Sequence, residues 1–88
     1  MPSRTVTVRS TVGLHARPAA LFVKSAAATG LPVKIRKGDG PDVDARSILM
    51  VMGLGVGHLD EVTMTAEGDR AEAVLDELAV LLETDHDA

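Results

Sequence analysis

The sequence predicts an α+β open-faced sandwich, in which four amphipathic strands form one sheet with helices on one face. Four short segments alternate polar and apolar residues, as strands do, and three others have the spacing or start signals of helices. Their order is strand, helix, strand, strand, helix, strand, helix. No linker or repeat is evident in the 88 residues, so we expect a single domain over residues 1–88, with an ordered core from about residue 4 to 83 and a polar tail over 84–88.

The first strand and the first helix are separated by a short turn. Residues 4–9 alternate Thr or Arg with Val, so Val6 and Val8 should face the core. A helix over residues 16–29 is expected, because Pro18 has the fixed φ of a first helical turn and Gly30 suits a C-cap. Its predicted packing face consists of small residues, namely Ala16, Ala19, Ala20, Val23, Ala26 and Ala27.

Two further strands form a predicted hairpin. Residues 31–37 alternate, with Val33 and Ile35 inward, and residues 42–45 form the short return strand. The turn cluster Gly38-Asp39-Gly40-Pro41 lies between them.

A short apolar helix is predicted over residues 47–54, with Ser47 as its N-cap. Two interpretations of this helix are open. It is either fully buried, or Val51 and Leu54 point inward while Leu49 and Met52 stay exposed as a docking patch.

The last strand and helix have the clearest patterns. Residues 60–67 alternate, with Val62, Met64 and Ala66 on one face. After Gly68, Asp69 and Glu72 resemble a capping box that opens a helix. The apolar stripe of this helix consists of Ala71, Val74, Leu75, Leu78, Leu81 and Leu82.

The composition excludes several classes of protein. Without cysteine there is neither a disulfide scaffold nor a thiolate metal site. The net charge of -4, one Phe and the lack of Trp and Tyr argue against a nucleic-acid binder. There is no signal-peptide pattern and no apolar run of about 18 residues, so we expect a cytoplasmic protein that does not enter the membrane.

The candidate site is the segment Gly13-Leu14-His15-Ala16-Arg17-Pro18. If the helix begins just after His15, the backbone N–H groups of Ala16 and Arg17 and the helix dipole form an anion site beside the imidazole. The Arg17 guanidinium matches the geometry of phosphate. These features indicate a phosphoryl-accepting histidine, although a histidine in this position is also typical of a cap or a surface residue.

The remaining polar candidates are weaker. His58 lies in a glycine-rich turn and His86 in the acidic tail, so both should be surface residues. Three adjacent tail residues, Asp85-His86-Asp87, do not preorganise a metal site, so none is expected. Ser47 is either only a cap or also a site of regulatory phosphorylation, which would add a dianion beside the docking patch.

The residues from Gly13 to Ala20, followed by Arg46-Ser47-Ile48-Leu49 and Leu54-Gly55, resemble a known family. This family is HPr, the histidine-containing phosphocarrier of the bacterial phosphoenolpyruvate:sugar phosphotransferase system. The resemblance extends from Thr5 to about Glu83, and it implies a four-stranded antiparallel sheet covered by three helices.

The resemblance also implies a function. His15 takes a phosphoryl group on Nδ1 from phosphorylated enzyme I, Arg17 steadies it, and His15 passes it to IIA domains of sugar permeases. The chain is then a carrier without a cofactor rather than an enzyme, and transient exchange with such partners suits a monomer. The implied docking residues are Ala20, Leu21, Lys24, Ile48, Leu49 and Met52.

Ser47 matches a serine that an ATP-dependent kinase phosphorylates in some family members, which adds HPr kinase/phosphorylase and transcriptional regulators as partners. Two features depart from the family pattern. The hairpin around residues 38–41 is one residue longer than usual, and Arg46 stands where Lys is common.

Two other functions are compatible with the sequence. The chain could be a paralogous regulatory phosphocarrier or binding module, serving nitrogen-linked phosphotransfer or transcription factors. The order of elements also describes a ferredoxin-like domain that binds RNA or a small ligand, which the lack of Trp and Tyr and the presence of a single Phe disfavour.

Overall fold

The seven predicted elements are present in the predicted order in the computed structural model, which describes residues 2–11 and 13–84. They are β1 (Ser3–Thr7), α1 (Ala16–Ala28), β2 (Val33–Lys37), β3 (Val43–Asp44), α2 (Ile48–Gly53), β4 (Glu61–Ala66) and α3 (Ala71–Glu83). Most differ from the prediction by one or two residues at their ends. The predicted polar tail lies outside the described residues beyond Thr84, and so does Val12.

The sheet has the strand order β1-β4-β2-β3, and every neighbouring pair is antiparallel. Val6 lies opposite Val62, and Ile35 lies opposite both Met64 and Val43. These apolar side chains are buried under the helices, whereas the hydroxyls of Thr5 and Thr63 meet at 2.9 Å where the strands are exposed. The predicted open-faced sandwich with its antiparallel sheet is therefore confirmed.

The inward face of α1 differs from the predicted one. Its buried residues are Pro18, Ala19, Phe22 and Ala26, and Val23 is partly buried against the core. Ala20 and Ala27 are exposed, so their assignment to the packing face was wrong; the side chain of Ala16 lies outside the described part of the chain. Phe22 defines the centre of the face, and at 100° per residue Ala20 and Ala27 lie about 160° and 140° away from it.

The C-terminus of α1 is displaced by one residue from the prediction. Thr29 is the C-cap, and both its amide and its hydroxyl donate to the carbonyl of Ala26. Gly30 is the next residue, with φ +73°. Glycine is favoured there because the left-handed region penalises a Cβ.

The predicted capping box of α3 is wrong. Arg70 is the N-cap and makes no side-chain capping hydrogen bond. The amide of Ala71 donates to the carbonyl of Gly68 at 3.2 Å, so Asp69 is held within a turn and the helix begins after it. The apolar stripe of α3 is confirmed, since Ala71, Val74, Leu75, Leu78 and Leu82 are buried and Leu81 packs partly buried against the core.

The chain does not leave the sheet's edge abruptly after β1. Although β1 ends at Thr7, the amide of Val8 donates to the carbonyl of Asp60 at 2.9 Å, and the amide of Leu59 donates back to Val8 at 2.8 Å. Val6 and Val8 are both buried, as predicted.

Among the described helices, none is long and apolar enough to cross a membrane.

Candidate functional site

The loop before α1 is held against a second loop that precedes β4. The amide of Leu14 donates to the carbonyl of Val56 at 3.0 Å, and the Leu14 side chain is 1% exposed. Gly13 is buried with φ +70°, and a Cβ there would lie 2.2 Å from the carbonyl oxygen of Val56 and 2.6 Å from the Cα of Gly57. Only a glycine allows the two backbones to come this close.

His15 is the N-cap residue of α1, with an extended backbone (φ -132°, ψ 161°) and a half-buried side chain. The helix thus begins just after His15, as predicted. The amides of Ala16 and Arg17 have no acceptor within the helix by its geometry, and Pro18 has no amide hydrogen. As the N-cap residue, His15 lies at the positive end of the α1 dipole. Its imidazole makes no capping hydrogen bond to the first turn of the helix.

Arg17 is exposed, and the first turn of α1 contains no acidic residue. None of the ion pairs formed within residues 2–11 and 13–84 includes its guanidinium. A cationic side chain next to the helix N-terminus adds to the positive potential around His15.

Gly13 and Leu14 contact the loop over residues 55–60, which we call the 55–60 loop. Hydrogen bonds and an ion pair hold this loop together. The Asp60 carboxylate accepts a hydrogen bond from the Gly57 amide at 2.8 Å and forms an ion pair with Lys37 at 3.4 Å. The Lys37 ammonium also donates to the carbonyl of Gly55 at 3.0 Å. The hydrogen bond from the Gly57 amide and, to a smaller extent, the Lys37 ammonium lower the pKa of Asp60 below its usual value.

Sequence reasoning missed Lys37 and Asp60, because no local pattern connects the end of one strand with a distant loop. Within the 55–60 loop, His58 is exposed, as predicted. Leu59 has φ +68°, a conformation that a leucine rarely adopts and that its sequence neighbours did not indicate.

The short helix α2 packs against α1. The sequence left open whether its apolar residues are buried or form a surface. Val51 is fully buried, whereas Leu49 is 82% exposed. The other exposed apolar residues of this helix are Ile48, Met50 and Met52, and together with Leu49 we call them the α2 patch. The exposed interpretation is confirmed, with Met50 as an additional member and Leu54 only partly buried.

The predicted docking residues of α1 also reach the surface. Ala20 and Lys24 are exposed and Leu21 is half-buried. They lie on the helix that begins just after His15, and both predicted parts of a docking surface reach solvent.

Ser47 caps α2 as predicted, since its hydroxyl accepts from the Met50 amide at 3.4 Å. Next to it, Arg46 forms a hydrogen-bonded ion pair with Asp44 at 3.1 Å, and its amide donates to the same carboxylate. The hydrogen bond from the Arg46 side chain and, to a smaller extent, that from its amide lower the pKa of Asp44. Phosphorylation of Ser47 stays a prediction.

A cleft of about 280 Å³ lies between the C-terminal half of α1 and the start of α3, and it includes Ser25, Arg70 and Glu77. None of the residues predicted for the site lines this cleft. The described residues contain no group of three or more His, Asp or Glu placed to hold a metal ion. The tail segment Asp85-His86-Asp87 lies outside them.

Comparison with known proteins gives a consistent picture. Residues 2–84 match the family model described as "PTS HPr component phosphorylation site". The chain is 51% identical over 82 residues to phosphocarrier protein HPr of Haloferax volcanii, covering 92% of each protein. It is 41% identical over 83 residues to the HPr-like protein Crh of Bacillus subtilis, covering 94% of this chain and 96% of Crh.

The fold agrees as well. The crystal structure of a phosphocarrier protein HPr from Bacillus anthracis superposes with a TM-score of 0.87 at 41% identity, covering 92% of this chain and 95% of that one.

Proposed function

Because this chain belongs to the HPr family of the phosphotransferase system, we propose that His15 accepts a phosphoryl group at Nδ1 from phosphorylated enzyme I and passes it to IIA domains of sugar permeases. The chain acts as a carrier in the cytoplasm, without a cofactor, rather than as a self-contained enzyme. The observation that supports this most strongly is the position of His15 as the N-cap of α1, directly after the anchored residues Gly13 and Leu14.

The chemistry requires an imidazole lone pair and a site for a dianion. The Nδ1 lone pair attacks phosphorus, a nitrogen–phosphorus bond forms, and the bond to the donor breaks with its electrons leaving on the donor. The new phosphoryl oxygens then lie near the first-turn amides of Ala16 and Arg17 and the Arg17 guanidinium. In the second transfer a nucleophilic group on a IIA domain attacks the same phosphorus and forms a bond to it, and the nitrogen–phosphorus bond breaks with its electrons returning to Nδ1.

Docking of both partners is assigned to one surface, consisting of Ala20, Leu21 and Lys24 together with Ile48, Leu49 and Met52 of the α2 patch. The apolar side chains on α2 supply contact area, and Met adapts to different partners. A small surface suits a monomer that must release each partner quickly.

Regulation at Ser47 belongs to the same proposal. Transfer of the γ-phosphoryl group of ATP to the Ser47 Oγ by HPr kinase/phosphorylase would convert the capping hydroxyl into a phosphate ester, with ADP as the leaving group, and put a dianion beside the α2 patch. The change in charge would alter docking to enzyme I and to transcriptional regulators.

The test is intact mass spectrometry after incubation with phosphoenolpyruvate and a catalytic amount of enzyme I. We expect one added phosphate that is lost in acid, because a phosphoramidate hydrolyses there, and no addition to His15→Ala. The Ser47→Ala variant is the matched control and should still be labelled. A folded His15→Ala protein that still gains an acid-labile phosphate would contradict the proposal.

A regulatory binding module is the second candidate, favoured by the similarity to Crh. It predicts a folded wild-type chain that gains no phosphate from active enzyme I. The two candidates are therefore separated by the same mass measurement.

A further inference from the structure

The 55–60 loop is fastened at two points by the last residue of β2. The Lys37 ammonium donates to the carbonyl of Gly55 at 3.0 Å and lies 3.4 Å from the Asp60 carboxylate. The same carboxylate oxygen accepts from the Gly57 amide at 2.8 Å. One cation and one carboxylate thus hold the start, the middle and the end of this loop, and we call this ion pair the Lys37–Asp60 clasp.

The same loop also contacts the chain segment that leads to His15. Val56 lies between the two fastened residues Gly55 and Gly57; its side chain is fully buried and its carbonyl accepts from the Leu14 amide at 3.0 Å. Gly13 passes so closely that even a methyl group would strike Val56. His15 is the next residue after Leu14, so the clasp and the imidazole are connected by one loop and one hydrogen bond.

We propose that the Lys37–Asp60 clasp is a positioning element for His15: it fixes the Val56 carbonyl, and through Leu14 the backbone from which the imidazole projects. This inference rests on the proposed function of His15 as phosphoryl acceptor. The imidazole makes no capping hydrogen bond to α1, so its direction depends on the backbone that carries it. Phosphoryl transfer is sensitive to small misplacements of the nucleophile.

The clasp is poorly suited to a purely stabilising role. The Lys37 and Asp60 side chains are 43% and 39% exposed, and exposed ion pairs contribute little to global stability because water and salt screen them. Its effect should therefore appear in the local order of the loop rather than in the unfolding of the whole protein.

The experiment compares Lys37→Met, Asp60→Asn and the double variant. We expect amide hydrogen exchange of Leu14 to accelerate about tenfold in each single variant, with little further change in the double variant, because both break the same link. Transfer from phosphorylated enzyme I should slow about threefold to tenfold. The conservative variant Lys37→Arg should restore most of both properties.

Arg36→Met is the matched control, because it removes a neighbouring exposed ion pair, Arg36 with Asp42 at 3.7 Å, from the same strand. It should change neither Leu14 exchange nor transfer. Unchanged Leu14 exchange in the clasp variants overturns the clasp and leaves the proposed function standing. Faster exchange with undiminished transfer overturns the positioning role, and a wild-type chain that accepts no phosphoryl group overturns the proposed function and the positioning role together.

Discussion

In the loop before α1, Gly13 is the position at which glycine is required most strictly. Two separate constraints act on it, the left-handed backbone and the contact with Val56. Gly30 has a nearly identical φ of +73°, but no neighbouring atom lies within 4 Å of the place where a Cβ would lie. The pair therefore separates the cost of conformation from the cost of collision.

We predict that Gly13→Ala lowers the free energy of unfolding by about 3 kcal/mol or more, because the loop must move apart in addition to adopting a strained φ. Gly30→Ala should cost only about 1 kcal/mol. Urea unfolding measures both. Equal costs would mean that the Val56 contact yields without penalty.

Leu59 shows a limit of prediction at this scale. Its φ of +68° places a leucine where glycine is expected, and 54% of its side chain remains exposed. The amide of Leu59 donates to the carbonyl of Val8 at 2.8 Å, so this residue takes part in a long-range contact that no local pattern in the sequence indicates.

At the scale of elements, α2 contains the clearest division between packing and surface. The apolar sequence of this helix left its burial open, because nearly every position is hydrophobic and no polar face indicates its orientation. A helix that spans only Ile48–Gly53 buries one of its residues, Val51, and exposes its neighbours.

We predict that Leu49→Ala changes the free energy of unfolding by less than about 0.5 kcal/mol but raises the KM for phosphorylated enzyme I severalfold. Val51→Ala should cost about 2 kcal/mol of stability, because it removes buried methyl groups. Both are truncations to alanine on the same helix, measured by urea unfolding and by transfer kinetics. An unchanged KM in Leu49→Ala would remove the α2 patch from the docking surface.

The other elements show which signals in the sequence are dependable. The alternation in β4 and the stripe in α3 predicted their buried residues because each pattern is repeated over several positions. The start of α3 was missed because the capping box rests on two residues, and a backbone turn at Gly68 displaced it. Ala20 and Ala27 were misplaced because small residues fit either face of α1.

For the whole molecule, the strand order and the Lys37–Asp60 clasp lay beyond sequence reasoning, since both depend on which distant segments meet. His15, Arg17 and Ser47 could be singled out because each belongs to a local motif. The two residues of the clasp belong to none, and they become neighbours only when β2 and β4 pair.

The lowered pKa values of the Asp44 and Asp60 carboxylates predict a small dependence of stability on acid. Their pKa values are lowered in the folded state, by Arg46 and by the Gly57 amide respectively. Stability from a lowered pKa is fully present above the unfolded value of about 3.9 and is lost as the pH falls through the folded value.

We predict that these two groups lower the free energy of unfolding only slightly as the pH drops below about 4, because water screens both partly exposed ion pairs, and that Asp44→Asn together with Asp60→Asn removes this small contribution to the slope. Urea unfolding at a series of acidic pH values measures it. The variant should differ little from wild type in slope near neutral pH, where both carboxylates are ionised in either state. An identical acid slope in the double variant would contradict the assignment to these two groups.

Long-range backbone hydrogen bonds also determine when the segment that leads to His15 can reach its folded position during synthesis. Val8, Arg9 and Leu14 take their backbone partners from Leu59 and Asp60, from Leu82 and from Val56. A ribosome that has released only the first half of the chain has already exposed His15 but not one of these partners. The proposed phosphoryl acceptor is therefore synthesised early, but the backbone contacts around it form only when most of the chain is complete. An unfinished chain presents His15 to enzyme I without these contacts.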